Sequence, residues 1–375
     1  MTDDRPFGLG LIGCGGFGEF CLDAFSTMRP VRVAAVADVH KPAADRLGAK
    51  FGVPALGSAE ELIAREDVEI VHVATPPGLH HEQVLAAVRA GKHVLCEKPL
   101  ATRVDHADEM LAAVEAAGVI CPVNFVLRYN AVTEAVKAVL DSGAMGKVLA
   151  ARLTNCAGDG KLGPDHWFWD RRQSGGIFIE HGVHFFDLYA HWLGPGRVLS
   201  AHARTREGTG QEDRVLCTMA FDSGAVASHH HGFDQVLLLD RTDHRLVCEL
   251  GDLRVDGWIP LRLTIDAVVN DETQRGLEAC CPGGGVEVLA TYEGDDRRPM
   301  GRGVRRDVAR RIRLTFEPAA DKQAVYADSV RALLADQLAF LRDPAHRRRI
   351  TEGNGLNSLK LAEAAAGLAQ SASSP

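Results

Sequence analysis

Three side chains of this 375-residue chain sit where a proton could change hands: Lys98, Glu180 and His184. Lys98 belongs to Cys96-Glu97-Lys98-Pro99, at the end of a short apolar run, and the proline behind it fixes the lysine where a strand stops. An amine held there can polarise an oxygen or exchange a proton with it. Glu180 and His184 lie in Gly175-Gly176-Ile177-Phe178-Ile179-Glu180-His181-Gly182-Val183-His184-Phe185-Phe186-Asp187. The spacing predicts a helix with Glu180 and His184 on one face, one turn apart, and Asp187 three residues on. A neutral imidazole takes a hydroxyl proton near neutral pH, and a carboxylate one turn away orients it. An acid, an imidazole and a lysine that converge make a site for proton transfer at an alcohol or carbonyl carbon.

The hydride partner for such a carbon is written at the other end of the chain. Gly13-Cys14-Gly15-Gly16-Phe17-Gly18 follows the Leu9 to Ile12 run and opens a helical pattern, the context that a dinucleotide-binding G-x-G-x-x-G requires. Gly13 allows the tight turn, Gly15 lets the backbone approach a pyrophosphate, and Gly18 permits close packing of helix on strand. Gly16 and Phe17 open the helix whose N-terminus receives the phosphates. Asp38 closes the second strand where a carboxylate accepts hydrogen bonds from an adenosine ribose. This selects NAD over NADP, whose 2′-phosphate Asp38 would repel, although Lys41 lies nearby. Val73-Ala74-Thr75-Pro76-Pro77 ends another buried strand, and His80 follows at a helix start. Ligands lie at the carboxyl ends of such strands, so Thr75, Pro76, His80, Glu97 and Lys98 are expected around the cofactor.

These residues need a sheet to hold them. Strands are expected at Phe7 to Ile12, Arg32 to Ala37, Ile70 to Ala74, His93 to Cys96 and Val119 to Phe125. Phe17 to Thr27, Pro42 to Phe51, His80 to Ala90 and Asp105 to Ala117 carry apolar residues at helical spacing. That alternation is a doubly wound parallel sheet. Beyond about residue 146 the pattern turns β-rich, with Val148 to Asn155, Val198 to Thr205, Val215 to Phe221 and Ala225 to Gly232 joined by turns such as Asp222-Ser223-Gly224. Residues 324–341 and 355–369 return to helical periodicity, and Ser371 to Pro375 is a polar tail. The fold class is α/β followed by α+β: a dinucleotide-binding domain over 1–127 and a substrate and oligomerisation domain over 128–375.

Composition excludes other classes. Hydrophobic residues are 46% and charged residues 25%, as in a chain that buries a full core, and 42 Lys plus Arg against 50 Asp plus Glu leave a net charge of −8. That charge repels nucleic acid. No apolar run is long enough to span a bilayer, and Met-Thr-Asp-Asp-Arg-Pro is not a signal sequence, so the expected location is the cytoplasm. Nine scattered cysteines without a CxxC pair read as reduced thiols.

Taken in order, Gly13 to Gly18, Ala74-Thr75-Pro76-Pro77, Glu97-Lys98-Pro99, and Gly175-Gly176 followed by Glu180 and His184 resemble the Gfo/Idh/MocA family of NAD(P)-dependent oxidoreductases, which includes glucose-fructose oxidoreductase and inositol 2-dehydrogenase. Asn124 to Asn130, Met145-Gly146-Lys147-Val148 and Thr351 to Gly355 extend the resemblance along nearly the whole chain. It implies an N-terminal Rossmann domain and a C-terminal domain with a large open, mostly antiparallel sheet that makes a homodimer or homotetramer. It also implies that Lys98 and His184 flank the reacting carbon, and that Asn124, Arg128 and Tyr129 lie in the pocket region. The family commonly has Asp where this chain has Glu180, so a substrate assignment does not carry over.

Pro164-Asp165-His166-Trp167-Phe168-Trp169-Asp170-Arg171-Arg172 supplies aromatic faces and bidentate donors. Trp167, Trp169 and Arg171 suit a sugar or another polyhydroxylated ring. The expected activity is hydride transfer between NAD and a secondary alcohol of a sugar-like or cyclic polyol. The resemblance leaves two alternatives: a redox-neutral glycoside-cleaving enzyme that regenerates its NAD, and a non-catalytic NAD and sugar sensor. No metal site is expected: the spacing of His181, His184, His191 and His229 to His231 is not that of a zinc site. The basic stretch Arg297 to Arg313 reads as a solvated insertion or a flap at the substrate mouth, and Cys280-Cys281 as a turn.

Overall fold

The computed structural model describes residues 5–319 and 321–371, so the first four residues and the tail beyond Ser371 lie outside the described residues. The chain clusters into two compact units. The first takes in the chain up to Val126, Pro164–Asp187 and Tyr326–Ala366; the second takes in Leu127–Gly163, Leu188–Val325 and the chain from Gly367 onward.

In the first unit the order is β1 (Phe7–Ile12), α1 (Gly16–Ser26), β2 (Val31–Ala37), α2 (Lys41–Phe51), β3 (Ala55–Leu56), α3 (Ala59–Ile63), β4 (Ile70–Val73), α4 (His80–Arg89), β5 (His93–Cys96) and α5 (Val104–Ala117). The strands pair in parallel in the order β3-β2-β1-β4-β5. Leu9 and Leu11 on β1 and Val71 and Val73 on β4 are fully buried, as expected of strands covered by helices on both faces. From β1 the chain first builds outward to β2 and β3, then returns to β4 on the other side. The carboxyl ends of β1 and β4 therefore frame the switch-point crevice in which such sheets bind ligands.

Two local readings change. β3 has only two residues, too few to carry a sequence pattern. Val119 to Phe125 is not a regular strand. It runs beside β5, with Val94 N–H donating to Ile120 O (2.8 Å) and Cys96 N–H to Pro122 O (3.0 Å), but only one bridge forms, Cys96 to Val123. Pro122 has no N–H with which to continue the ladder.

The second unit holds α6 (Ala131–Ser142), β6 (Val148–Gly158), β7 (Gly196–Thr205), β8 (Glu212–Phe221), β9 (Val226–Gln235), β10 (Arg241–Cys248), β11 (Gly251–Asp256), β12 (Arg262–Val269), α9 (Asp271–Cys280), β13 (Gly285–Thr291), the short hairpin of β14 (Met300–Gly301) and β15 (Val304–Arg305), and β16 (Arg310–Phe316). Two short or bridging helices, α7 (Arg171–Ser174) and α8 (Val183–Leu193), precede β7, while α10 (Lys322–Arg342) and α11 (Glu352–Ser371) end the chain. Nine strands form one sheet in the order β13-β16-β12-β11-β10-β6-β9-β8-β7, and only β6 and β9 pair in parallel. The basic stretch is thus only partly an insertion: Arg310 to Arg313 lie on β16, hydrogen-bonded on both sides by β12 and β13.

One face of this sheet is apolar. Val215, Cys217 and Met219 on β8 are buried and alternate with exposed or half-buried neighbours. The other face carries charge pairs across strands, including Arg245 to Asp252 (2.7 Å) and Arg313 to Asp266 (3.0 Å). On β9, His229 and His231 point into the core while His230 is half-buried, the alternation that a strand dictates. Tyr189 stacks edge-on against His229 at 4.3 Å.

Burial pushes the His244 imidazole down to about 3 and holds His229 well below its ordinary value. The unfolded chain takes up these protons near pH 6.5 and the folded chain does not, so stability is lost as pH falls through that value. Each pH unit below it costs about 1.4 kcal/mol per imidazole until the folded group titrates. Thermal melts between pH 7 and pH 4 are expected to show a steep decline that is shallower in His244→Leu. Equal slopes in both proteins would contradict this account.

Candidate active site

The glycine loop at the end of β1 adopts the strained shape that its residues allow. Gly13 has φ +98°, and a Cβ there would stand 2.5 Å from Ala74 O; a Cβ on Gly18 would stand 2.2 Å from Gly13 O. These two positions exclude any side chain, whereas Gly15 and Gly16 face open space. The N-cap of α1 is Gly15, which offers no side-chain cap, so the N–H groups of the first turn are left for a ligand.

They border a cavity of about 720 Å³ lined by Gly13, Gly15, Gly16, Phe17, Gly18, Asp38, Thr75 and Pro76, with Val39, Leu79, His166 and Trp167 around the rim. Asp38 lies at the end of β2, and its carboxylate accepts from Cys14 N–H (2.7 Å) and His40 N–H (2.7 Å). It therefore braces the glycine loop as well as facing the cavity, a role that strand position and spacing do not reveal. Open glycines, a bare helix start and a fixed carboxylate are what a dinucleotide needs, and the site fits NAD. Asp38→Ser is expected to raise the preference for NADP over NAD by about tenfold, or ~1.4 kcal/mol, in paired KM measurements. An unchanged ratio would remove Asp38 as the selector.

Of the other expected cofactor residues, Thr75 and Pro76 line the cavity, and His80, Glu97 and Lys98 do not. Thr75 lines it and donates its hydroxyl to Gln83 Oε1 (2.6 Å). His80 is fully buried: its Nε2 lies 2.9 Å from Thr75 O and its Nδ1 lies 2.8 Å from Pro99 O. Glu97 is 6% exposed, and its Oε1 accepts from Asn124 Nδ2 (2.7 Å) and contacts His72 Nε2 (2.9 Å). Asn124, assigned to the substrate by sequence, is thus turned inward beneath Glu97. Cys21, His72 and Glu97 form the one cluster of metal-ligating types among the described residues; His72 contacts Glu97, and Asn124 Nδ2 reaches both Glu97 Oε1 and Cys21 Sγ. His72 carries no motif signal; only its place on β4, facing the loop after β5, reveals it.

Lys98 emerges from that loop. Its Nζ donates to Glu180 Oε1 (2.5 Å) and to Glu180 O (2.9 Å), and both side chains are largely buried. The helix expected around Glu180 is a π-turn over Phe178–Gly182 that runs into α8. Such wide turns are frequent at functional sites. Gly175 and Gly176, at φ +81° and +93°, release the chain from α7 into this turn. Glu180 thus engages Lys98 directly, where helical spacing alone has it orient His184.

His184 is 6% exposed and packs edge-on against Phe125, with ring centroids 6.2 Å apart. His181, between them in sequence, is pushed down to about 3 by burial and by the charge of Lys98. In the aromatic run Phe168 is the buried member, set edge-on against Trp169 at 4.9 Å. Trp167 borders the dinucleotide cavity and Arg171 is exposed. Arg128 belongs to the second unit, in a turn over Val126–Tyr129, and is 9% exposed.

All nine cysteines are free thiols, and eight are buried. Burial, reinforced by the negative Asp38, pushes Cys14 in the glycine loop up to about 12, so it is not a nucleophile. No helix among the described residues is long and apolar enough to cross a membrane.

Comparison with known proteins agrees with this architecture. Residues 7–125 match the oxidoreductase family GFO/IDH/MocA, NAD-binding Rossmann fold, and residues 133–247 match the GFO/IDH/MocA C-terminal domain. The 1,5-anhydro-D-fructose reductase of Ensifer adhaerens is 37% identical over 47% of this chain, although the match covers only 54% of that protein. A D-xylose 1-dehydrogenase (NADP(+)) of Haloferax volcanii is 30% identical over 63% of this chain and 74% of its own length. The solved structure of levoglucosan dehydrogenase with NADH and L-sorbose shares the fold, with a TM-score of 0.77 at 20% identity over 98% of this chain and 97% of that one. The chain belongs to the GFO/IDH/MocA oxidoreductase family, with an NAD-binding Rossmann domain at its N-terminal end.

Proposed function

We propose that the protein is an NAD-dependent dehydrogenase that moves a hydride between a secondary alcohol carbon of a sugar-like or cyclic polyol and the nicotinamide. The observation that carries this reading is the largely buried Lys98–Glu180 ion pair, with Lys98 on the loop after β5 and Glu180 on the π-turn four residues before His184, in the same unit as the dinucleotide cavity. A sensor has no need of both Lys98 and His184 as paired proton-transfer groups. The sugar reductases and dehydrogenases among the relatives support the substrate class.

When bound, NAD supplies the hydride acceptor at its nicotinamide ring. The first turn of α1 receives the pyrophosphate and Asp38 the adenosine ribose. Glu180 holds the Lys98 ammonium by a charge-assisted bond and so sets the direction in which its remaining donors point. Lys98 polarises the substrate oxygen, and His184 accepts the hydroxyl proton in the oxidative direction. Arg128, Trp169 and Arg171 are the remaining candidates for hydroxyl recognition, and association of copies through the open sheet of the second unit belongs to the same proposal.

The test is NADH formation, followed by its absorbance, with purified protein, NAD and a panel of aldoses, polyols and glycosides. Steady NADH release from one chemical class supports the proposal. Sugar release from a glycoside without net NADH would replace it with the redox-neutral alternative.

A further inference from the structure

His80 was expected to touch the cofactor, yet it is fully buried and does not line the dinucleotide cavity, although its neighbours Leu79, Glu82 and Gln83 do. It is the first residue of α4, and its ring lies between two loops. Nε2 is 2.9 Å from Thr75 O, in the loop after β4 that borders the cavity; Nδ1 is 2.8 Å from Pro99 O, in the loop that carries Lys98. Cys96 Sγ stands 3.5 Å from the same Nδ1.

Both partners are carbonyls, which only accept. Imidazole is the side chain suited to such a span, because its two nitrogens sit on opposite edges of a rigid ring, whereas the donors of Asn or Gln share one nitrogen. A neutral ring donates its one N–H to one carbonyl and holds the other loop by contact across the rigid ring. Burial, the largest effect, lowers the group below its ordinary value, and the two carbonyls and Glu97 only partly offset it.

We propose that His80 is a positioning residue that clamps the Thr75 loop to the Lys98 loop and so fixes the position from which Lys98 meets the substrate oxygen. The consequence for turnover rests on the dehydrogenase reading above; the clamp itself does not. A misplacement of about 1 Å at a reacting group costs on the order of a hundredfold in rate.

The experiment compares wild type with His80→Gln and His80→Leu in the full chain with NAD present. Expected are a fall in kcat of about tenfold to a hundredfold, a KM for NAD changed by less than about threefold because Asp38 and the glycine loop are untouched, and a displaced pH profile of kcat. Amide deuterium uptake should rise together in the Thr75 to Leu79 and Glu97 to Leu100 segments. Unchanged kcat with only a lower melting temperature, or uptake that rises in neither or only one segment, would overturn the clamp. If neither variant folds, the wild-type ring decides: a His80 ring N–H seen in slow exchange with solvent supports the clamp, and a rapidly exchanging one defeats it. If no compound yields NADH, the exchange arm still gives its answer, so failure of the clamp and failure of the dehydrogenase reading remain distinguishable.

Discussion

Lys98→Met is expected to lower kcat by about two to four orders of magnitude, the usual contribution of a positioned acid or base, while NAD still binds. The methionine keeps the length of the side chain and removes the charge. It also leaves Glu180, whose side chain is 10% exposed, as a largely buried carboxylate without its cation. Removing one partner of a buried pair is more destabilising than removing both. The double variant Lys98→Met/Glu180→Gln should therefore melt at a higher temperature than Lys98→Met and be no more active. His184→Asn is expected to fall in the same range. Its combination with Lys98→Met should cost far less than the product of the two single losses, because groups that act as a unit are not additive. Initial rates at saturating NAD check all four proteins. Full activity in Lys98→Met would remove the lysine from the chemistry.

Gly13→Ala should abolish measurable NAD binding while most of the fold survives. A Cβ at this residue must adopt φ +98°, which disfavours any L side chain by roughly 1–2 kcal/mol, and must also stand 2.5 Å from Ala74 O. Relief requires the β1 loop to separate from the β4 loop. That movement would withdraw the first turn of α1 and break the brace between Cys14 N–H and Asp38. Calorimetric titration with NAD is expected to show a loss of at least about a hundredfold in affinity, or ~2.7 kcal/mol. Gly52→Ala, at φ +66° with no protein atom within 4 Å of a Cβ and outside the cavity lining, serves as the control for placing a side chain at positive φ. Wild-type affinity in Gly13→Ala would show that the loop yields without cost and that the glycine is not required.

The parts of the site that depend on short-range rules are legible in the sequence. Gly13 and Gly18 are legible from turn geometry, and the place of Asp38 at the end of β2 from its spacing, but its brace on Cys14 N–H is not. Lys98 is legible for the same reason, since a strand and a proline fix it on either side. What stays hidden depends on contacts between distant segments. Glu180 reads as the partner of His184 because helical periodicity pairs residues four apart; the π-turn widens the helix at that point, and Lys98, 82 residues away, takes the carboxylate. His80 and Asn124 look like ligand contacts because they follow strand ends, but burial turns them inward, onto backbone carbonyls and onto Glu97. In the fold, the alternating strands of the first unit are visible in the residue pattern, whereas the strands from β10 onward are not. β16 escapes because Arg310, Arg311 and Arg313, of which Arg311 and Arg313 share the exposed face, resemble a basic loop when read without their partners on β12 and β13.

The central claim is that this chain passes hydride from a polyol carbon to a nicotinamide under the control of Lys98 and His184. The most direct measurement uses aldoses and cyclic polyols deuterated at the reacting carbinol carbons, incubated with the protein and NAD, and followed by mass analysis of the recovered cofactor. The account predicts deuterium at C4 of the nicotinamide from at least one class, in wild type and not in the Lys98→Met/His184→Asn protein. Cofactor without deuterium across the whole panel, from a protein that binds both NAD and a sugar, would contradict it.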